Sequence, residues 1–289
     1  LYTWDIIGTD VIPEGNLVKL NVQRSIAADE VTTNKKAPKW NDDYTNVNQR
    51  LENVVGNITV EGDNPLINLG ANEQGNLTNN VLAGIYAEGV TSNVFANNGL
   101  QIQVQNNIAS PVGIYAGNGG SVKYYGSSSD LNIITKTMDG GNTLTNAVWL
   151  DPSKTGSEAI TLQSASTNIT MEGGYGGNGV AIHKTDRWGE DSKASTQGGK
   201  ITITGDLNIK GKDNGTWGIE GNPANVISRF NNAGILVDVN NSSVTVGGNV
   251  DMDVYGNGVT VTGDNSTVTL EKGGSITVPK DTDYGYYAL

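Results

Sequence analysis

Residues Ser242–Ala288 read SSVTVGGNVDMDVYGNGVTVTGDNSTVTLEKGGSITVPKDTDYGYYA, a series of short alternating apolar and polar segments separated by Gly, Asn and Asp. At the start of this stretch, the sextet NSSVTV from Asn241 returns 24 residues later as NSTVTL from Asn265. Alternation makes a strand with one apolar and one polar face, and Gly and Asn turn the chain within one or two residues. A near-repeat of this length is typical of stacked architectures.

The same organisation extends upstream from this stretch. The motif Gly-Ile-Tyr-Ala occurs at Gly84 and returns 29 residues later at Gly113, with alternating segments such as Ile201–Thr204 between further glycines. Three short strands and three corners in about 24 residues close one coil, and stacked coils pair their strands in parallel. The sequence therefore predicts an all-β fold, a parallel β-helix of roughly ten coils over residues 56–289 with loop insertions. A β-sandwich is the alternative, but hairpins do not produce such repeats.

Residues 1–55 differ from the rest of the chain. They contain only two of the 39 glycines, and Ala27–Gln49 is polar and interrupted by Pro38. Because terminal repeats of stacked folds are atypical, we expect residues 1–55 to form an N-terminal cap over the first coil. A separate functional segment is the alternative.

Composition excludes several classes of function. The 289 residues include no cysteine, which excludes disulfides and thiolate metal sites. The net charge of −12 argues against binding to nucleic acid or to anionic lipid. No apolar run is long enough for a membrane helix, and no signal pattern opens the chain. We expect the chain to be a piece of a longer protein.

The sequence of the repeats resembles that of the passenger domains of autotransporters, which are secreted surface proteins of Gram-negative bacteria. The resemblance covers residues 56–289 and lies in the Gly-Ile-Tyr-Ala repeats, in GGKITITGDLNIKG at 198–211, in NSSVTVGGN at 241–249 and in GGSITV at 273–278. It implies a right-handed β-helix exported to the cell surface, anchored by a C-terminal outer-membrane barrel that is absent from this sequence. It most often implies an adhesin or a self-associating protein.

Catalytic patterns are weak in this sequence. His183 is the only histidine, and a triad with nearby Asp186 lacks a serine motif. A polysaccharide lyase or hydrolase needs carboxylates gathered on adjacent coils. Asp251 and Asp253 share one strand face, and Asp238 could join them from a neighbouring coil, although Met252 between them suits the core. We expect no cofactor, no metal and no enzymatic activity, with such an enzyme as the alternative.

Aromatic residues in the disturbed middle of the chain are the candidate ligand-binding side chains, because exposed Tyr and Trp stack on sugars and anchor protein interfaces. We expect them at loops or corners; they are Tyr124, Tyr125, Trp149, Tyr175, Trp188 and Trp217. The sequence thus predicts a surface adhesin whose partner is a host surface protein, a glycan or another copy of itself. A passive stalk is a further possibility that the sequence does not separate from it.

Overall fold

A computed structural model describes residues 2–6, 18–23, 51–52, 56–61, 66–70, 81–105, 110–136, 145–152, 158–172, 177–184, 198–212, 233–254 and 256–278. These residues form strands and short turns, and none of them is helical. The strands, numbered β1–β23 in chain order, belong to three sheets, here called A, B and C.

Sheet A has nine strands: β1 (Tyr2–Ile6), β2 (Val18–Gln23), β4 (Gly56–Glu61), β7 (Thr91–Phe95), β10 (Ser121–Gly126), β13 (Ala159–Ser164), β16 (Lys200–Ile203), β19 (Ser243–Val246) and β22 (Thr267–Leu270). Sheet B has seven: β5 (Leu66–Gly70), β8 (Leu100–Gln105), β11 (Leu131–Lys136), β14 (Ser166–Glu172), β17 (Asp206–Lys212), β20 (Val250–Asp253) and β23 (Gly274–Thr277). Sheet C also has seven: β3 (Leu51–Glu52), β6 (Val81–Glu88), β9 (Ser110–Gly117), β12 (Thr145–Asp151), β15 (Gly177–Ile182), β18 (Ala233–Val237) and β21 (Asn257–Val261).

From β4 onward the chain visits the sheets in the order A, B, C, and each strand pairs in parallel with its equivalent one coil away. Coil 1 is β4–β5–β6, coil 6 is β19–β20–β21, and β22 and β23 begin a seventh coil. The predicted parallel β-helix is therefore confirmed. Among the paired strands described, only β1–β2 and β2–β4 are antiparallel. The prediction that residues 1–55 form a cap stays a prediction.

The spacing between coils is uneven. Ser243 pairs with Thr267, 24 residues on, whereas Lys200 pairs with Ser243, 43 residues on. The estimate of roughly ten coils assumed the shorter spacing throughout. The described residues form six complete coils and two strands of a seventh, because insertions between strands lengthen several coils.

An isoleucine ladder fills the interior side of sheet B. One column in register contains Ile67, Ile102, Ile133, Ile169, Ile209, Met252 and Ile276. All but Ile276, at the last coil, are essentially inaccessible to solvent. Met252 thus lies in the core, as its position between two aspartates predicted.

The glycine of the Gly-Ile-Tyr-Ala motif packs against this ladder. A Cβ at Gly84 would lie 2.5 Å from Cγ2 of Ile102, and a Cβ at Gly113 would lie 2.4 Å from Cγ2 of Ile133. Each distance is far below van der Waals contact, so at these two positions only glycine lets sheet C lie this close to sheet B. The isoleucine of each motif points into the core, while its tyrosine belongs to a separate cluster on the outer side of sheet C.

Candidate functional site: the outward faces of the coils

From β6 to β18, the outward side of sheet C is largely buried. Tyr86, Tyr115 and Trp149 occupy one column on successive coils and are 4–6 % exposed. The Tyr86 and Tyr115 rings stack with centroids 4.8 Å apart, and Trp149 meets Tyr115 edge-on at 5.3 Å. With Ala83, Val112, Ala181, Ala233 and Leu236 these rings form a second apolar cluster. From β6 to β18, this side of the β-helix is therefore not a free binding surface.

Carboxylates accept hydrogen bonds from the tyrosine hydroxyls of this cluster. Tyr86 donates to Glu88 over 2.8 Å, and Tyr115 donates to Asp151 over 3.2 Å. Burial, reinforced by the Asp151 carboxylate, raises the pKa of Tyr115 well above its ordinary value of 10.0. Tyr115 is therefore protonated at neutral pH and acts as a donor.

His183 pairs with an aspartate that is distant in sequence. Its Nδ1 lies 2.5 Å from Oδ2 of Asp238 on the next coil, and both side chains are mostly buried. Its backbone carbonyl accepts a 2.8 Å hydrogen bond from Nε1 of Trp149. Asp186, the aspartate nearest to His183 in sequence, lies outside the described residues.

The three aspartates that could have built a carboxylate site are held by different sheets. Asp238 follows β18 of sheet C and contacts His183, whereas Asp251 and Asp253 are exposed on β20 of sheet B. Asp251 accepts a hydrogen bond from Ser275. Within the described ranges, no group of three or more His, Cys, Asp or Glu residues could hold a metal ion.

The outward side of sheet B carries an amide ladder. Asn208 donates from Nδ2 to Oδ1 of Asn168 over 2.8 Å, and Asn168 donates in the same way to Asn132 over 2.9 Å. These three residues are in register on β11, β14 and β17 and are half-buried. The ladder fixes side-chain positions on a face that water reaches.

We call the outward side of sheet A, from β7 to β22, the A face. Its central column runs in register through Asn93, Lys123, Thr161, Thr202, Thr245 and Thr269. These side chains are half-buried or exposed. Successive members are about 4.8 Å apart, so the face presents hydroxyl, amide and methyl groups at a regular spacing.

One aromatic pair interrupts the A face. Phe95 on β7 and Tyr125 on β10 are in register and stack with centroids 4.7 Å apart and ring planes 15° apart. Both side chains are half-buried. Phe95 was not among the predicted site residues, although it is the counterpart of Tyr125 one coil earlier. Comparing Asn93-Val94-Phe95 with Lys123-Tyr124-Tyr125 would have found it.

The other predicted aromatics have different locations. Tyr124, Tyr125 and Trp149 were expected at loops or corners, but all three lie within strands, where alternation decides which face each side chain joins. Tyr124 is fully buried in the core and Trp149 lies in the buried sheet C cluster, so neither reaches a surface ligand. Tyr175, Trp188 and Trp217 lie outside the described residues.

Comparisons with known proteins add no identity: the chain matches no protein-family model, no curated protein and no solved structure. Within the described part of the chain, no helix is long and apolar enough to cross a membrane. Among the described residues, the outward faces of sheets A and B carry accessible polar side chains. These faces offer hydrogen-bonding columns and one aromatic pair.

Proposed function

We propose that this chain belongs to a non-catalytic adhesin of the bacterial cell surface, the passenger domain of an autotransporter. It attaches to host or bacterial surfaces, or to other copies of itself, through the outward faces of sheets A and B. The observation that carries the proposal is the A face, where one column of polar side chains repeats in register on successive coils. The repeat style of the sequence agrees with this proposal.

The size of the A face indicates how such a protein would bind. Six strands at about 4.8 Å and about five residues at 3.3 Å cover roughly 25 by 15 Å. That area is below the about 800 Å² per partner of a stable interface. One contact is therefore weak, and useful attachment requires many copies acting together, as on a cell surface or in an aggregate.

Beads coated with the protein test the proposal. We expect the coated beads to cluster with one another or to adhere to cultured host cells, and the protein free in solution to compete only at high concentration. Beads that neither cluster nor adhere would count against an adhesin. Surface exposure is tested separately, by protease treatment of intact cells that produce the full-length protein.

A pair of matched substitutions tests whether the A face is responsible. Thr245→Asp introduces a negative charge in the central column, while Thr262→Asp introduces the same charge at an exposed position after β21 of sheet C. In a chain of net charge −12, the first substitution should weaken clustering or adhesion and the second should not. Equal effects would mean that net charge, rather than this face, determines attachment.

A further inference from the structure

The A face has a charge opposite to that of the whole chain. The strands β7, β10, β13, β16, β19 and β22 contain only two charged residues, Lys123 and Lys200. Both lysines are exposed on the outward side. In a protein with a net charge of −12, a sheet face whose only charged residues are two lysines attracts anions locally.

Lys123 lies beside the aromatic pair. It is two residues before Tyr125 on the same side of β10, and its register partners are Asn93 and Thr161. The register partner of Tyr125 on β13 is Gln163. One compact patch therefore combines an ammonium group, two stacked rings and two side-chain amides; we call Asn93, Phe95, Lys123, Tyr125 and Gln163 the aromatic patch.

The polar groups of the aromatic patch are available to a ligand. Among the described residues, the Asn93 amide, the Lys123 ammonium, the Tyr125 hydroxyl and the Gln163 amide make no side-chain hydrogen bond or ion pair. By contrast, Asn132, Asn168 and Asn208 on sheet B bond to one another. The patch thus keeps its donors and acceptors for an external partner, next to apolar ring surface.

This combination matches the chemistry of an acidic saccharide. Sugar C–H groups pack on aromatic rings, planar amides bond to hydroxyl groups, and an ammonium pairs with a carboxylate or sulfate. A second copy of the chain fits less well, because a two-fold contact centred on the patch would bring the two Lys123 side chains together. We propose that the aromatic patch binds a saccharide that carries carboxylate or sulfate groups.

Lys200 extends the site along the face. It lies two coils beyond Lys123 and two residues nearer the start of its strand. Strand spacing and rise place the two Cα atoms about 12 Å apart. A polymer with repeated anionic groups can therefore contact both lysines while a sugar ring covers the aromatic pair. This site deepens the proposed function, on which it rests, by naming a ligand class for the A face.

Binding of defined polysaccharides to the whole chain tests the proposal. The probes are polygalacturonate, which carries carboxylates, and dextran sulfate; neutral dextran and poly-glutamate are the controls. We expect at least one anionic polysaccharide to bind, more weakly as salt is raised, and both controls to bind at least about tenfold more weakly. Lack of binding to both anionic polysaccharides, or equal binding of poly-glutamate, overturns the proposal.

Three variants locate the site. Lys123→Thr and Tyr125→Thr should each weaken binding about tenfold, and Lys210→Thr on the exposed side of sheet B should change it by less than about twofold. Lys210→Thr removes the same charge as Lys123→Thr from a different face. If Lys210→Thr weakens binding as much as Lys123→Thr, or Tyr125→Thr has no effect, the attraction is general and the aromatic patch is not the site. Thermal unfolding confirms that each variant is folded.

The outcomes separate this proposal from the proposed function. If coated beads adhere to cells but neither anionic polysaccharide binds, the saccharide site is wrong and the adhesin proposal stands. If a polysaccharide binds at the patch but coated beads neither cluster nor adhere, the site stands and the adhesin proposal is wrong.

Discussion

Nδ1 of His183 lies 2.5 Å from Oδ2 of Asp238, and this contact joins coils 4 and 5 although the two residues are 55 positions apart in sequence. The side chains are only 11 % and 15 % exposed. Oδ1 of Asp238 is buried and has no hydrogen-bond partner among the described residues. The imidazole is therefore the main compensation for burying this carboxylate.

Replacing His183 with leucine should destabilise the protein because the Asp238 carboxylate is left buried without a partner. We expect a loss of about 2–3 kcal/mol in the free energy of unfolding, below the range for fully buried pairs because both groups retain some exposure. The double variant His183→Leu/Asp238→Leu should lose less than the single variant. Urea denaturation followed by tryptophan fluorescence measures these two variants and the single variant Asp238→Leu. If the double variant loses as much stability as the two single variants together, the residues are not coupled.

Gly113 should not tolerate a side chain. A Cβ there would lie 2.4 Å from Cγ2 of Ile133 and 2.7 Å from the carbonyl oxygen of Ala147. Gly113→Ala should therefore cost about 1–3 kcal/mol through overpacking, although alanine is normally the better residue in a regular strand. Thermal unfolding measures the loss.

Ala147 supplies the control for this prediction. It occupies the column of Gly113 on the next coil and is fully buried, so this coil accommodates a methyl group. Ala147→Gly should destabilise by about 1 kcal/mol through lost burial and greater backbone freedom. A Gly113→Ala variant as stable as the natural chain would contradict the close approach of sheets B and C.

The sequence predicts the fold of this chain well because each repeat contains the alternation that forms a strand and the glycines that allow turns and close packing. The alternation of Asn168–Met171 is seen in β14, and the glycine of Gly113–Ala116 marks the close approach of two sheets. The number of coils was less predictable. An insertion of any length can leave a corner without changing the pairing of the strands beside it, so one short spacing does not apply to the whole chain.

The candidate site was less predictable than the fold. In Lys123-Tyr124-Tyr125, the two tyrosines lie on opposite sides of the strand. Tyr124 lies on the buried side, in register with the core residues Val94 and Leu162. Nothing local distinguishes the outward Trp149, which is buried, from the outward Tyr125, which is half-buried. Predicting the His183–Asp238 pair requires the register between coils 4 and 5. The unequal lengths of the insertions hide that register in the sequence. The function itself stays a proposal.

Tyr124 offers a test of core energetics. Its hydroxyl is buried and has no hydrogen-bond partner in the described part of the chain, so it bears a desolvation cost without compensation. Tyr124→Phe removes that hydroxyl and keeps the ring. We expect the free energy of unfolding to stay unchanged or to rise by up to about 1 kcal/mol. Tyr115→Phe is the contrasting variant, because the Tyr115 hydroxyl donates to Asp151, and it should destabilise. A Tyr124→Phe variant that loses as much stability as Tyr115→Phe would indicate a satisfied hydroxyl.

Alkaline pH should lower the free energy of unfolding because Tyr115 and Tyr124 are buried. Burial raises the pKa of Tyr115 and of Tyr124 well above the ordinary value of 10.0 in the folded chain. Above pH 10 the unfolded chain therefore releases protons that the folded chain keeps, so the free energy of unfolding is constant with respect to these groups below pH 10 and falls above it. The slope should be about 1.4 kcal/mol per pH unit for each tyrosine.

Urea denaturation at several pH values above 10, together with phenolate absorbance of the folded protein, measures this loss. Tyr115→Phe and Tyr124→Phe should each remove the contribution of one tyrosine from the slope, and the double variant should remove the contributions of both. Lysines also titrate in this range, but they are common to all four proteins and cancel in the comparison. Equal slopes in the natural chain and the double variant would mean that these hydroxyls ionise as readily in the folded state as in the unfolded state.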